Sequence, residues 1–366
     1  MDPSYIVSNI DDIPTPSLLI YRERVKANIS RMLETAGGPD WLRPHVKTHK
    51  MASVIKMKMQ AGIYKFKCAT LQEARMIAEV GGKDVFVAYQ MVGPNVQRLI
   101  SLILEFPETV FRVMADDSDA ISSLSAAATS AGVSVDVLID LDVGQHRTGI
   151  AVGPSAVALY KSLNELPGVT PGGIHAYDGH NHQSDLAERR QATDECLDQV
   201  RSFQRAVEAE GIPVARRVMG GSISFPCYAE AGDVESSPGT GTLWDWGYQR
   251  RFDDLGFEPA ALLLSRIISI PTTTRATLDL GYKAIASDPM GERGIVWSPK
   301  GVELVFQNEE HWVMETSDTS VLRVGQPAYV FPTHICPTSA LHRYVYVIDE
   351  NGRFSERWEV TARDRE

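Results

Sequence analysis

At 366 residues the chain has room for one large domain and a smaller one. Its net charge of -11 argues against a nucleic-acid partner, which needs a basic face for the phosphate backbone. No apolar run reaches the length of a membrane span, and the opening MDPSYIVSNIDDIPTPS lacks the basic and apolar regions of a signal peptide. Cys68, Cys196, Cys227 and Cys336 are too scattered for a disulfide framework, so a reducing cytoplasm is expected.

In chain order, the first β-rich run is IPTPSLLIY, residues 13–21. Then come WLRPHVK (41–47), KFKCAT (65–70), DVFVAY (84–89), VFRVMA (110–115) and VDVLIDL (135–141), followed by GGIHAY (172–177), VARRVM (214–219) and a run near 232–238. Between them lie amphipathic stretches such as LQEARMIAEVG and SDAISSLSAAATSAG, whose apolar residues recur at three and four and stop at Gly. The longest, 184–210, aligns Leu186, Leu197, Val200, Phe203 and Val207 on one side. Eight strand–helix repeats in about 200 residues match a (β/α)8 TIM barrel, with a doubly wound open sheet as the alternative. From about 258 the runs ALLLSRIISI, ATLDLGY, ERGIVWS, VELVFQ, PAYVFPTHI and RYVYVID are short and β-rich, which reads as an antiparallel β domain. The expected division is a barrel over 14–256 and a β domain over 257–366, with the N-terminal segment 1–22 a candidate to join the latter.

Catalytic groups of such barrels gather at the C-terminal ends of the strands. Lys47, in WLRPHVKTHK, falls there, and desolvation would free its amine to form a Schiff base. His45, Lys47 and His49 alternate, so an extended chain would turn all three to one face. DLDVGQHRTG (140–149) adds Asp142, a turn at Gly144, and Arg147, a planar partner for an anionic oxygen. GGIHAYDGHNH (172–182) adds His175, Tyr177, His180 and His182. VMGGS (218–222) and SPGTGT (237–242) follow the seventh and eighth strands, the usual place for a phosphate. In PTHICPT (332–338), His334 and Cys336 would share a strand face as an imidazole–thiolate pair suited to Zn²⁺. Glu310 and His311 of EEHW either face that ion or form a solvated hairpin.

RPHVKTHK, DVGQHRTG, the YDGH run, GGS, PGTGT, LDLGYKAIASD, EEHW and HICPT together resemble the D-threonine aldolase and D-serine dehydratase family. These are pyridoxal-phosphate enzymes related to alanine racemase, and the resemblance covers about residues 14–349. It implies an alanine racemase-like barrel, a C-terminal β domain and a homodimer acting on a small D-3-hydroxy amino acid. Lys47 would carry pyridoxal phosphate as a Schiff base with His45 beside it, Arg147 would contact the cofactor, and Tyr177 would lie near its ring. Gly221, Ser222, Gly239 and Thr240 would hold its phosphate, and His334 and Cys336 a divalent metal. His180 or His182 would take the substrate's hydroxyl proton. Cys336 stands where many aldolase-like members carry Asp, which leaves the metal open between Zn²⁺ and the harder Mn²⁺ or Mg²⁺. The reaction is open too: retro-aldol cleavage to glycine and an aldehyde, or zinc-dependent dehydration of D-serine or D-threonine. A cofactor-homeostasis binding protein and a metal hydrolase free of pyridoxal phosphate are the readings from other classes.

Overall fold

The structure, a computed structural model, describes residues 3–365. The chain divides into two compact units. One comprises Met32–Lys47, Ile55–Gly239 and the described residues after Arg363; the other comprises the described residues up to Arg31, Thr48–Val54 and Thr240–Arg363.

The first unit is the barrel. Seven strands run parallel in the order Lys65–Cys68, Asp84–Val87, Val110–Ala115, Val135–Asp142, Val169–Ala176, Arg217–Met219 and Glu235–Ser236. The short strand Ile150–Ala151 pairs beside Val135–Asp142. The central strands are buried on both faces; in Val135–Asp142, Val137, Leu138 and Ile139 are fully buried in succession. Phe86, Met114, Leu138 and Val218 form one cluster of the core. The helices between strands are set by caps: Asp117 accepts two N–H groups at the start of Ser118–Ala131, and Gly132 ends it in the left-handed conformation. In Leu186–Ala209 the apolar side is Leu197, Val200, Phe203 and Val207, whereas Leu186 is exposed.

The first stave of the barrel departs from expectation. The run 41–47 is not a regular strand: among the described residues its pairing with the neighbouring strands is limited to the isolated bridges Leu42–Ser236 and His45–Lys67. Arg43 donates its N–H to Ser236 and His45 donates to Pro238, while Pro44 accepts from Lys67. Pro44 has no N–H of its own, so the ladder cannot continue, and a 3-10 turn, Val46–Thr48, follows at once. Those contacts still close the circle between the strands Glu235–Ser236 and Lys65–Cys68.

The second unit is a nine-stranded sheet. Its path runs Val302–Gln307, Trp312–Thr316, Arg275–Leu278, Ala261–Ser269, Ser17–Tyr21, Tyr344–Ile348 and Phe354–Glu359, and Pro327–Pro332 pairs with both Ala261–Ser269 and Gly294–Ser298. Every pairing is antiparallel except that of Ser17–Tyr21 with Tyr344–Ile348. The early segment is thus an inner strand of this sheet. Tyr5 anchors its core, meeting Tyr21, Phe331 and Trp297 edge-on at centroid distances of 5.1, 5.2 and 5.8 Å. Gly281 has no room for a side chain, because a Cβ there would lie 1.9 Å from the Glu309 carbonyl oxygen. Among the described residues no helix is long and apolar enough to cross a membrane.

Candidate active site

In the barrel unit the turn Val46–Thr48 leaves Lys47 half-buried, with Nζ 5.8 Å from the centre of the Tyr177 ring. The expected shared face of His45, Lys47 and His49 does not form, since the turn breaks the extended period. His45 is buried and its Nδ1 accepts the Lys47 N–H at 3.3 Å. His49 belongs to the other unit, fully buried, where its Nδ1 accepts the Met51 N–H.

Tyr177 follows the strand Val169–Ala176 and gathers cations around its ring. Lys67 lies 5.8 Å from the centroid, and the Arg147 guanidinium carbon 4.9 Å. Arg147 comes from the loop after Val135–Asp142. Asp142 shapes that loop by accepting the N–H groups of Gly144 and His146, each at 3.0 Å. Burial pushes the Asp142 carboxyl up, but these donors and the His146 ring hold it below the ordinary range, so it is a structural anion. Gly144 has φ +125°, and a Cβ on it would lie 2.9 Å from His180 Nε2. The absence of a side chain lets His180 rest on this loop; His180 and His182 are both exposed.

The glycine turns meet within the same unit. Ser222 Oγ accepts the Gly239 N–H at 3.1 Å, and the Gly221 N–H is donated to Ser224 Oγ at 3.3 Å. A Cβ on Gly221 would lie 3.2 Å from the Tyr177 ring. Ser236 and Ser237, at the end of the last strand, keep buried hydroxyls with no hydrogen-bond partner among the described residues. Behind the turn, the buried Asp178 accepts from Ser224 Oγ and Tyr228 OH, each at 3.0 Å; burial pushes its carboxyl up. Thr240, grouped with these glycines by sequence, belongs to the sheet unit, and its hydroxyl lies against Cys336.

A half-buried amine, a cationic aromatic floor and a glycine turn with orphaned hydroxyls are the chemistry that an aldehyde carrying a phosphate requires. The barrel unit therefore fits pyridoxal phosphate on an observation independent of motif.

Sequence reasoning missed Lys67 and Asp140. Lys67 Nζ lies 2.8 Å from His175 Nε2, and His175 Nδ1 lies 2.7 Å from Asp140 Oδ1. The legible signal was a lysine placed in the middle of a buried parallel strand, where charge is costly.

In the sheet unit His334 and Cys336 do not share a strand. The strand ends at Pro332, His334 is the N-cap of the helix Ile335–Leu341, and Cys336 lies in its first turn. The two side chains still meet: burial pushes the Cys336 thiol up, but a hydrogen bond with His334 pulls it below its ordinary value. His334 is raised to about 9 against the effect of burial, by Cys336 and by Asp288, whose Oδ2 lies 2.5 Å from His334 Nδ1. Thr48 and Thr240 approach the Cys336 sulfur at 3.2 and 3.5 Å. Asp245, buried, accepts the Tyr248 N–H and the Ile335 N–H, each at 3.0 Å, and so grips the residue between His334 and Cys336. Imidazole with thiolate suits a borderline-soft ion. Among the described residues no group of three or more His, Cys, Asp or Glu side chains converges. Glu310 and His311 lie in an exposed turn, where Glu310 pairs with Lys283.

Residues 20–240 match the family profile described as alanine racemase, N-terminal domain, and residues 260–348 match one described as "Putative serine dehydratase domain". The D-threonine aldolase of an Arthrobacter species is 28% identical, over 96% of this chain and 93% of that protein. The 3-hydroxy-D-aspartate aldolase of Paracoccus denitrificans is 29% identical, over 97% of this chain and 93% of that protein. The crystal structure of D-threonine aldolase from Filomicrobium marinum superimposes with a TM-score of 0.90 at 26% identity, covering 99% of both chains.

Proposed function

Because the chain belongs to the alanine racemase N-terminal domain family and is a lyase, we propose that it cleaves D-3-hydroxy amino acids, D-threonine first among them, to glycine and an aldehyde. The observation that carries this reading is the Lys47 amine held beside Tyr177, with Arg147 over the same ring and the glycine turn adjoining it. Lys47 holds pyridoxal phosphate through its amine, while Gly221, Ser222 and Gly239 hold the phosphate group. When bound, that cofactor supplies a sink for the electron pair released at the substrate's α-carbon. Arg147 supplies a planar cation for an anionic oxygen. His180, held on the Gly144 loop, takes the proton of the 3-hydroxyl as general base. His334 and Cys336 hold a divalent ion, Zn²⁺ by the softness of the sulfur, which supplies Lewis acidity toward an oxygen. Four free cysteines accord with action in a reducing cytoplasm, and a homodimer is the proposed assembly.

The dehydratase reading remains the rival because residues 260–348 match a serine dehydratase profile. One assay separates the two. The protein is supplied with pyridoxal phosphate and Zn²⁺, then with D-threonine or D-serine, and products are identified. Glycine with acetaldehyde from D-threonine supports cleavage; 2-oxobutanoate or pyruvate alone establishes dehydration instead. A visible absorption band absent from Lys47→Ala ties either activity to that amine.

A further inference from the structure

Lys67 has no part in the reaction described above, yet it is the most deeply placed amine of the barrel's cation cluster. It is 3% exposed, on the strand Lys65–Cys68, and its Nζ touches His175, which in turn touches Asp140. Hydrogen-bond logic orders this row. With Nδ1–H donated to the Asp140 carboxylate, His175 presents Nε2 as an acceptor, and Lys67 is the donor of the 2.8 Å contact. The ring is neutral in that arrangement, and both burial and the Lys67 charge lower the His175 pKa. One N–H direction of Lys67 is thereby fixed, and Nζ lies 5.8 Å from the centre of the Tyr177 ring, the same distance as Lys47 Nζ. A buried ammonium is retained where an anion makes use of it.

We propose that Lys67 is a switchable positive charge of the cofactor chamber, a positioning residue that strengthens the hold on an anionic aldehyde cofactor when protonated and relaxes it when neutral. This rests on Lys47 as the cofactor lysine. The titration falls in a useful range: burial, then the charge of Lys47, brings Lys67 down to about 7. The charged groups facing it are Lys47 and Arg147, which lower it, and Asp140 and Asp178, which raise it; His175 is its hydrogen-bond partner. The sign follows. Below about 7 Lys67 carries its charge and the anion is held more tightly; as pH rises from there through the higher value that the bound anion imposes, that contribution is lost.

The test is equilibrium dialysis of pyridoxal phosphate against the unaltered chain, Lys67→Met and Lys67→Arg, from about pH 6 to about pH 9, with melting curves to confirm folding. Lys67→Met should bind about tenfold more weakly than the unaltered chain near pH 6 and equally near pH 9, the worth of about one pKa unit. Lys67→Arg, charged throughout, should lose the part of the alkaline weakening that Lys67→Met lacks. A Lys67→Met profile parallel to the unaltered one means a structural role only, and overturns the inference. If Lys67→Met does not fold, Lys67→Arg decides: alkaline weakening unchanged from the unaltered chain overturns it. Failure of the underlying reading looks different. Borohydride reduction of the unaltered chain with cofactor would then leave no pyridoxyl group on the Lys47 peptide at any pH, which removes the Lys47 assignment and this inference together.

Discussion

Asp245 shows how one carboxylate can organise the His334–Cys336 pair, the proposed metal donors, without belonging to it. Its two oxygens take two backbone N–H groups: Tyr248 in its own turn, and Ile335, the residue between His334 and Cys336. The first bond is legible in the sequence, since an Asp three residues ahead of Tyr248 is an N-cap pattern. The second joins residues 90 apart in the chain, and no local pattern announces it. The motif HICPT pointed to two side chains that do meet, but on the wrong backbone, because Pro332 ends the strand and His334 starts a helix. Asp245→Asn keeps the shape but turns an NH2 group toward one of the two N–H donors. Zn²⁺ affinity, measured by competition with a chelating dye, should fall by about 10- to 100-fold, the range for outer partners of metal ligands. Affinity equal to that of the unaltered protein would show that Asp245 does not position the pair.

The barrel's irregular stave illustrates the same division among elements. Its place in the barrel was legible from the apolar start and the spacing of later βα repeats; its geometry was not, because Pro44 limits it to isolated bridges. What holds it instead is Arg43, fully buried, with Nε 2.7 Å from Glu235 and Nη1 2.5 Å from Asp84. Those partners are 192 and 41 residues away in the chain, so a single arginine in a β-rich run gave no hint of them. Burial alone would push both carboxyls up, yet Arg43, helped by Arg112 and Arg216 at Asp84 and by Lys65 at Glu235, holds Asp84 below its ordinary 3.8 and Glu235 below its ordinary 4.5. Their contribution is therefore complete above those values and is lost as pH falls through the depressed native ones. Arg43→Met takes the shared partner from both carboxyls, leaving Glu235 with Lys65 and Asp84 with Arg112, and should cost about 1–3 kcal/mol in urea unfolding at neutral pH. The deficit should shrink near about pH 4, where the weakened carboxyls take up protons. A deficit that is the same at both pH values would mean that lost packing, rather than lost ion pairing, is the cause.

For the molecule as a whole, the parallel barrel could be read from repetition, but the path of the chain between its units could not. Each βα repeat buries its strand among neighbours close in sequence, so period and length suffice to recognise it. The sheet unit recruits from both ends: Ser17–Tyr21 pairs with Ala261–Ser269 on one side and Tyr344–Ile348 on the other. Tyr5 and Tyr21 add rings to a core completed by Trp297, Tyr329 and Phe331. IPTPSLLIY carries β propensity but nothing that names partners more than two hundred residues on. This arrangement makes a definite statement about truncation. A fragment of residues 1–256 retains every barrel strand but removes both neighbours of Ser17–Tyr21, in which Leu18, Leu19 and Ile20 are fully buried. Exposing those three side chains costs about 2 kcal/mol each, and the bare edges offer a template for pairing with other chains. The fragment should associate, measured as high-mass species in light scattering, and should bind a hydrophobic dye that the whole chain excludes. A longer cut that also removes the first strand, leaving 22–239, should lessen both signals, because the barrel strands keep all their sheet partners. If 1–256 remains monodisperse and dye-free, the first strand does not depend on the C-terminal sheet for its burial.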